Sequence, residues 1–461
     1  MRSTIKEFLA SIKGKRVAVI GIGVSNTPLI RMLLRAGISV TACDKNDRIQ
    51  FGDLAEELES LGATLQMGED YLQNLNQDIV FRTPGMRPDH PALLKAAAGG
   101  SVVTSEMEVF FDVCPCPIIA VTGSDGKTTT ATIIAKLLEQ AGITTYLGGN
   151  IGKPLLSQAG DMLPEDWVVL ELSSFQLMSM KTSPDIAVAT NLAPNHLDVH
   201  RSMEEYIAAK ENIFLHQGRN GTLVLNYDNE ITRAFAKKAK GNVVFFGRKH
   251  APKEGVFLHG NTIFMRKGEE TREILQTSRI LLPGVHNIEN YMAAIAAVEG
   301  LVPDQVIKTF AASFKGVEHR IELVRRRNGV AFYNDSIGTS PTRTIAGLHS
   351  FPDKVILIAG GYDKHLPFDE LGKEIVAHVK VLVLNGTTAP SIRAAVEQAP
   401  GYQTGTPEII DCRNFEAAVY AAEAAAKDGD VVLFSPACAA FDQFKNFAER
   451  GAAFKKMIYE L

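Results

Sequence analysis

No run of 18 apolar residues occurs anywhere in the 461-residue sequence, so no membrane-spanning helix is expected. The opening stretch Met1–Arg16 carries spaced lysines and no uninterrupted apolar segment, so no signal peptide is expected either. Cysteine is scarce. The five residues, at 43, 114, 116, 412 and 438, are odd in number and form no C-x-x-C pair of zinc or redox spacing, so reduced and mostly buried thiols are expected. Charge of one sign is also missing: 48 Lys and Arg stand against 52 Asp and Glu, a formal net charge of -4. Such a balance gives no basic field to draw nucleic acid or an anionic membrane. Short-period repeats and low-complexity linkers are absent too. These gaps point to a cytoplasmic protein whose partners are small molecules rather than nucleic acid or membrane; a monomer is expected, although nothing in the sequence bears on oligomeric state.

What is present is ordinary globular sequence, 46% hydrophobic and 22% charged, long enough for two or three domains. Apolar runs closed by Gly, Asp, Asn or Ser alternate with helix-period segments from end to end, the pattern of parallel α/β sheets. Three series stand out. The first holds Arg16–Gly21, Ser39–Asp44 and Asp78–Arg82; the second holds Pro117–Thr122, Trp167–Glu171 and Ile186–Thr190; the third holds Val330–Tyr333, Val355–Ala359, Val381–Leu384 and Val431–Phe434. The expected fold is therefore α/β with three domains, residues 1–106, 107–316 and 317–461. Ligands of such sheets bind beyond the carboxyl ends of the strands, where polar residues collect here.

After the run ending at Thr122 comes Gly123-Ser124-Asp125-Gly126-Lys127-Thr128-Thr129, followed by a helical pattern from Ala131 to Ala141. Glycines let backbone N–H groups turn inward around a phosphate, and the helix N-terminus adds positive potential. Lys127 supplies a point charge, and a hydroxyl of Thr128 or Thr129 can ligate Mg²⁺. The loop is two residues shorter than the general G-x-x-x-x-G-K-[ST] pattern.

Three further residues are out of place for a plain core. Glu171 interrupts the apolar run Trp167–Leu172, where a bare carboxylate costs several kcal/mol unless it is paired or bound to a cation. Ser173 and Gln176 keep polar groups at the same strand end. His196, in Asn195-His196-Leu197-Asp198, follows the next strand; a neutral imidazole there could stand near Mg²⁺ and phosphate, but a histidine in such a place is by itself more often a plain loop residue. Ser202-x-x-Glu205 reads as a capping box opening a helix with the apolar stripe Tyr206, Ile207, Ile213 and Phe214. Lys210 lies on that stripe, so it must snorkel, pair with an acid or lose its charge. A neutral amine can also capture CO₂ as a carbamate, which turns it into an anionic oxygen donor for a metal.

These pieces in their order resemble the Mur ligase family: T-G-S-D-G-K-T-T at 122–129, E-L-S-S-F-Q at 171–176, N-H-L-D at 195–198, Y-I-A-A-K-E-N-I-F at 206–214, G-V-H-N-I-E-N at 284–290 and E-H-R at 318–320. Two C-terminal stretches, 360–368 and 435–451, resemble the members that add D-glutamate to UDP-N-acetylmuramoyl-L-alanine. No D-N-P-R segment of the diamino-acid-adding members is present. The resemblance implies an N-terminal Rossmann-like domain for the UDP-sugar, a central P-loop ATPase-type parallel sheet and a C-terminal Rossmann-like domain for the amino acid. It implies ATP and Mg²⁺, an acyl phosphate on the L-alanyl carboxylate, and attack on it by the D-glutamate amine.

By the same resemblance Lys127, Glu171, His196 and Lys210 form the catalytic set. Lys210 is carbamylated and binds magnesium beside Glu171 and His196, and Thr129 helps a second ion. ATP is held by residues 123–129 with Asn287, Asn290, Arg320 and Asp335. Thr339, Lys364 and Phe447 match D-glutamate positions, whereas Ile337 and Ala440 depart from a lysine and a serine common in relatives. Gly23, Val24, Ser25 and Asp44 suit the pyrophosphate and uracil, with Asn150, Ser173 and Gln176 toward the muramoyl end. Two rivals remain at this point. A folylpolyglutamate-type or other Mur ligase would share the loop but not the amino acid. A dinucleotide-dependent oxidoreductase would use Gly21, Gly23 and Asp44, although Asn26 stands where its fingerprint needs a third glycine.

Overall fold

The structure is a computed structural model and describes residues 3–193 and 200–461. Its strands form three sheets of five, nine and six members. In the first sheet Arg16–Ile20 lies at the centre, with Ser39–Asp44 and then Thr64–Met67 on one side, and Ile79–Phe81 and then Val102–Thr104 on the other. All four pairings are parallel. Chain order thus reverses at the central strand, the switch point beyond which doubly wound sheets hold ligands.

The second sheet centres on Ile118–Thr122, every residue of which is buried. Such a strand is covered on both faces, which is why its sequence is a continuous apolar run rather than an alternation. Trp167–Glu171 and the edge strand Thr145–Gly149 lie to one side; Ile186–Ala189, Thr222–Asn226, Asn242–Gly247 and Gly255–His259 follow on the other. An antiparallel extension, Thr262–Lys267 and Glu270–Gln276, completes it. The third sheet runs Glu322–Arg327, Val330–Asn334, Val431–Phe434, Val355–Ala359, Val379–Leu384 and Glu408–Asp411, parallel except at its first pair.

The chain divides into two compact units, one of residues 1–277 and 289–310, the other of 278–288 and 311–461. In the first unit a single apolar core joins Val17, Val19 and Val40 of the first sheet to Ile118, Ala120 and Val168 of the second through the helix Glu106–Val113. In the second unit separate clusters cover the two faces of the sheet, one around Leu357, Leu382 and Leu433, the other around Ile356, Phe434 and Phe454.

Strands expected at Ser39–Asp44, Trp167–Glu171, Val355–Ala359 and Val431–Phe434 occur with those bounds. The helix expected from Ala131 begins earlier, at Lys127, and ends at Gln140. At Ser202 the capping box is half made. Its hydroxyl accepts from the N–H of Glu205, but the Glu205 carboxylate accepts instead from the N–H of Arg201 at 2.7 Å and pairs with Arg87 at 2.6 Å.

Candidate active site

The phosphate loop leaves the C-terminal end of the central strand and enters the helix Lys127–Gln140 through Gly126, whose φ of 76° is left-handed. A Cβ there would strike the side-chain amide of Asn290, and one at Gly123 would strike the Thr190 hydroxyl. Both positions therefore need glycine for space as well as for backbone angle. The loop is braced from the next strand end: Ser124 N–H donates to Asn191 O at 2.8 Å, Asp125 N–H to Asn191 Oδ1 at 3.0 Å, and the Thr190 hydroxyl to Asp125 O at 2.6 Å. Asn290 Oδ1 accepts from the Thr130 hydroxyl at 3.2 Å, which ties the helix Val285–Ala297 to the loop's helix. Lys127 folds back over the loop, its Nζ donating to Gly123 O at 3.0 Å and Ser124 O at 2.9 Å.

Glu171 closes the neighbouring strand and is 2% exposed. One carboxylate oxygen accepts from the Thr128 hydroxyl at 2.6 Å and the other from the Asn150 amide at 2.8 Å. The structure thus brings Thr128, the first of the two adjacent threonines, to this carboxylate. No Lys, Arg or His lies within ion-pair distance of it among the described residues, so the oxygens gathered here fit a hard divalent cation. Lys210, on the helix Met203–Leu215, is 1% exposed and does not snorkel. Its Nζ donates to Thr122 Oγ1 at 3.1 Å and Gly123 O at 2.9 Å and lies 4.9 Å from the centre of the Tyr206 ring. Burial, and then the nearby Lys127 ammonium, push it well below the usual lysine range, against the pull of Glu171 and Asp125. His196 lies outside the described residues.

On the first sheet Asp44 braces the turn that follows the central strand. Its carboxylate accepts from Ile22 N–H at 2.7 Å and Asn46 N–H at 2.9 Å. Asn26 is buried and its amide donates to Ile20 O at 2.8 Å, so the position where the dinucleotide fingerprint has glycine locks the strand end to the helix. Gly23 is open around its Cα and Val24 is exposed. Ser25 and Gln176 line one pocket together with Arg82, Ser105, Glu106 and Gly149, the neighbour of Asn150. Ser173 and Gln176 complete a reciprocal capping box on the short helix Ser174–Leu177.

Arg82 and Glu106 went unremarked in the sequence, although Arg82 closes an apolar run just as Glu171 does, directly after the strand Ile79–Phe81. The Arg82 guanidinium, 1% exposed, donates to Ser179 Oγ at 2.6 Å and to the carbonyls of Met86 and Phe175. Burial pushes the Glu106 carboxyl from 4.5 up to about 7, partly opposed by the Leu156 N–H it accepts. Since the folded value is raised, stability is full below the unfolded value and is lost as pH rises through about 7. Glu106→Gln keeps an acceptor for Leu156 and cannot ionise. It is expected to raise the urea midpoint at pH 8 and to change it much less at pH 5; equal shifts at both would contradict this.

In the second unit Asp335 is 4% exposed, and its carboxylate accepts from the Ser435 hydroxyl at 2.7 Å and the Ile321 N–H at 3.3 Å. Burial raises it to about 6 against these bonds and the nearby Arg320 and Arg343. Asn287 donates to Pro283 O at 2.6 Å. Thr339 is half-buried in the turn after Asn334, Lys364 is exposed, and Phe447 opens the helix Phe447–Glu460. Arg450, also overlooked in the sequence, fastens two loops of this unit. It donates to Ser336 Oγ and O at 3.2 and 3.1 Å, and to Cys438 O and Ala439 O at 3.0 Å each. The loop at Ile337 is further held by Arg343, which donates to Ile337 O at 3.1 Å, and Ala440 is 2% exposed.

Strand, glycine turn, lysine and helix N-terminus in this arrangement define a nucleotide-binding α/β enzyme of the phosphate-loop class. Comparison with known proteins makes the class specific. The family model for the Mur ligase middle domain matches residues 121–298, and the one for the Mur ligase, glutamate ligase domain matches 319–438. The chain is 54% identical to a UDP-N-acetylmuramoylalanine--D-glutamate ligase of Acetivibrio thermocellus, covering 99% of each chain. It is 51% identical to the enzyme of that name from Ruminiclostridium cellulolyticum, covering 100% of each. The chain belongs to the Mur ligase family. Among solved structures it resembles the UDP-N-acetylmuramate-alanine ligase of Thermotoga maritima, with TM-score 0.58, 18% identity, and 97% of this chain and 99% of that one covered. It also resembles a pseudomurein peptide ligase type C of Methanothermus fervidus, with TM-score 0.55, 17% identity, and 97% and 100% covered. At such identity these two likenesses concern the fold alone.

Proposed function

We propose that the chain joins D-glutamate to UDP-N-acetylmuramoyl-L-alanine with conversion of ATP to ADP and phosphate, a step of peptidoglycan precursor synthesis carried out in the cytoplasm by a monomer. The observation that carries this reading is end-to-end likeness, at 54% identity, to a protein named for D-glutamate ligation. Residues 1–106 take the UDP-sugar, 107–316 ATP and 317–461 the amino acid. The γ-phosphoryl group passes to the L-alanyl carboxylate and ADP departs. The D-glutamate amine then adds to the acyl phosphate carbonyl, loses a proton, and phosphate leaves.

Such a reaction depends on positioning and charge neutralisation, which the site's residues supply. The N–H groups of 123–129 and the Lys127 ammonium hold the phosphates. Glu171 and a Lys210 carbamate, with His196 and the hydroxyls of Thr128 and Thr129, hold magnesium, which neutralises charge on the phosphates when bound. Asn287, Asn290, Arg320 and Asp335 take the rest of ATP. Gly23, Val24, Ser25 and Asp44 take the uridine diphosphate, and Asn150, Ser173 and Gln176 the muramoyl end; Thr339, Lys364 and Phe447 take D-glutamate. The test is ADP release with ATP, Mg²⁺ and UDP-N-acetylmuramoyl-L-alanine while the amino acid is varied. D-glutamate alone is expected to support turnover; turnover with L-glutamate, L-lysine or meso-diaminopimelate but not D-glutamate would make the assignment wrong.

A further inference from the structure

Outside the active site, one group of three metal-capable side chains occurs among the described residues: His349, Glu374 and His378, in the second unit. His349 caps the C-terminal end of the helix Pro341–Leu348. Glu374 and His378 lie four residues apart on the helix Asp369–His378, hence on one face of it. Both imidazoles turn the same nitrogen toward the same carboxylate oxygen. His349 Nε2 is 2.7 Å and His378 Nε2 3.3 Å from Glu374 Oε2, the ring centres are 5.0 Å apart, and one ligand atom from each residue lies within 4.8 Å of the others.

We propose that these three side chains bind a divalent transition-metal ion of the Zn²⁺ class, which staples the two helices together. Two imidazoles and a carboxylate are the donor set of three-ligand zinc sites, with the remaining position open to water. Binding exchanges the imidazole hydrogen bonds to Oε2 for metal–nitrogen and metal–oxygen bonds; each ring binds as the neutral tautomer with its proton on Nδ1, and a ring that starts protonated releases its Nε2 proton to solvent. Two nitrogens among three donors also set this site apart from the phosphoryl-transfer site, where a single histidine stands among the oxygen donors that Mg²⁺ prefers.

The helix ends add to the case. His349 follows the last residue of one helix and His378 is the last residue of the other, so two C-terminal ends, each with partial negative charge, meet at the cluster and favour a cation. All three side chains are partly exposed, which gives the ion an entry path. The site is structural rather than catalytic. Thr339 and Lys364 precede these two helices, whereas the metal ligands stand toward the C-terminal end of each.

The test is a Zn²⁺ titration of the full-length, chelator-treated protein against a chromophoric chelator, with millimolar Mg²⁺ present throughout. One site per chain is expected. Removal of a direct ligand should weaken binding at least as much as loss of a neighbour that merely orients a ligand, so His349→Ala, His378→Ala and Glu374→Gln should each cost about tenfold or more. Zn²⁺ should raise the melting temperature of the unmodified protein and not that of the variants. ADP release in Mg²⁺ should be alike in all four. Equal Zn²⁺ affinity in the variants and the unmodified protein would overturn the proposal. Should a variant fail to fold, Co²⁺ added to the unmodified protein decides: an intense visible absorption that saturates at one equivalent supports the site, and its absence overturns it.

Discussion

Lys210→Ala is expected to lower turnover by about 100-fold to 1000-fold or more, the range seen when one preorganised electrostatic group is taken from an active site. Short-chain carboxylic acids supplied in solution should restore part of it. The expectation comes from where the lysine lies. Its amine is 2.9 Å from the carbonyl of Gly123, is almost wholly shielded from water, and is held well below its usual range by burial and by Lys127. An ammonium so placed is costly, and no carboxylate stands within ion-pair distance of it among the described residues. A neutral amine that captures CO₂ forms an N–C bond, gives up one N–H proton to solvent, and so gains two oxygens and a negative charge near Glu171; a small carboxylate entering the space left by alanine can imitate that group.

The volume-conserving Lys210→Met separates function from folding. It removes the buried amine without leaving a large cavity, so its melting temperature should equal or exceed that of the unmodified protein while activity is lost. An active Lys210→Met, or an alanine variant that no small acid rescues, would count against the carbamate.

Lys127→Ala should cost about 100-fold to 1000-fold, chiefly in kcat, because the ammonium matters most when charge shifts toward the departing ADP oxygen. Its Nζ donates to the carbonyls of Gly123 and Ser124, which places the side chain directly over the loop. The side chain is only half-buried, and its loss should leave the melting temperature nearly unchanged. Steady-state ADP release as a function of ATP, run beside a thermal melt, checks both parts. A rise in KM for ATP at unchanged kcat would assign Lys127 to ground-state binding instead.

What could be read from the sequence follows from how each part is stabilised. Ile118–Thr122 is buried on both faces and so is written as an unbroken apolar run, and Trp167–Glu171 is legible for the same reason. Thr145–Gly149 ends in two glycines at a sheet edge, and Glu270–Gln276 is the polar outer strand of the antiparallel extension. Neither carries a strand's hydrophobic signature, because edge strands bury little and rely on pairing.

The site divides along similar lines. Lys210 and Glu171 could be picked out because a charge on an apolar stripe is costly wherever it occurs. Thr128 and Thr129 could not be told apart, since adjacent helical residues point about 100° away from one another and only the placed helix shows which one faces Glu171. Arg82 gave the same signal as Glu171, a charge closing an apolar run, and it now lines the pocket that contains Ser25 and Gln176. Arg450 gave none. Its four hydrogen bonds go to loops near Ser336 and Cys438, far off in sequence or beyond a turn, and only folding brings them to it.

The most direct measurement uses UDP-N-acetylmuramoyl-L-alanine labelled with ¹⁸O in both oxygens of the alanyl carboxylate, together with ATP, Mg²⁺ and D-glutamate. Activation of that carboxylate predicts one ¹⁸O in the released phosphate, one retained in the new amide, and ADP as the nucleotide product. Unlabelled phosphate, or AMP and pyrophosphate in place of ADP and phosphate, would contradict it.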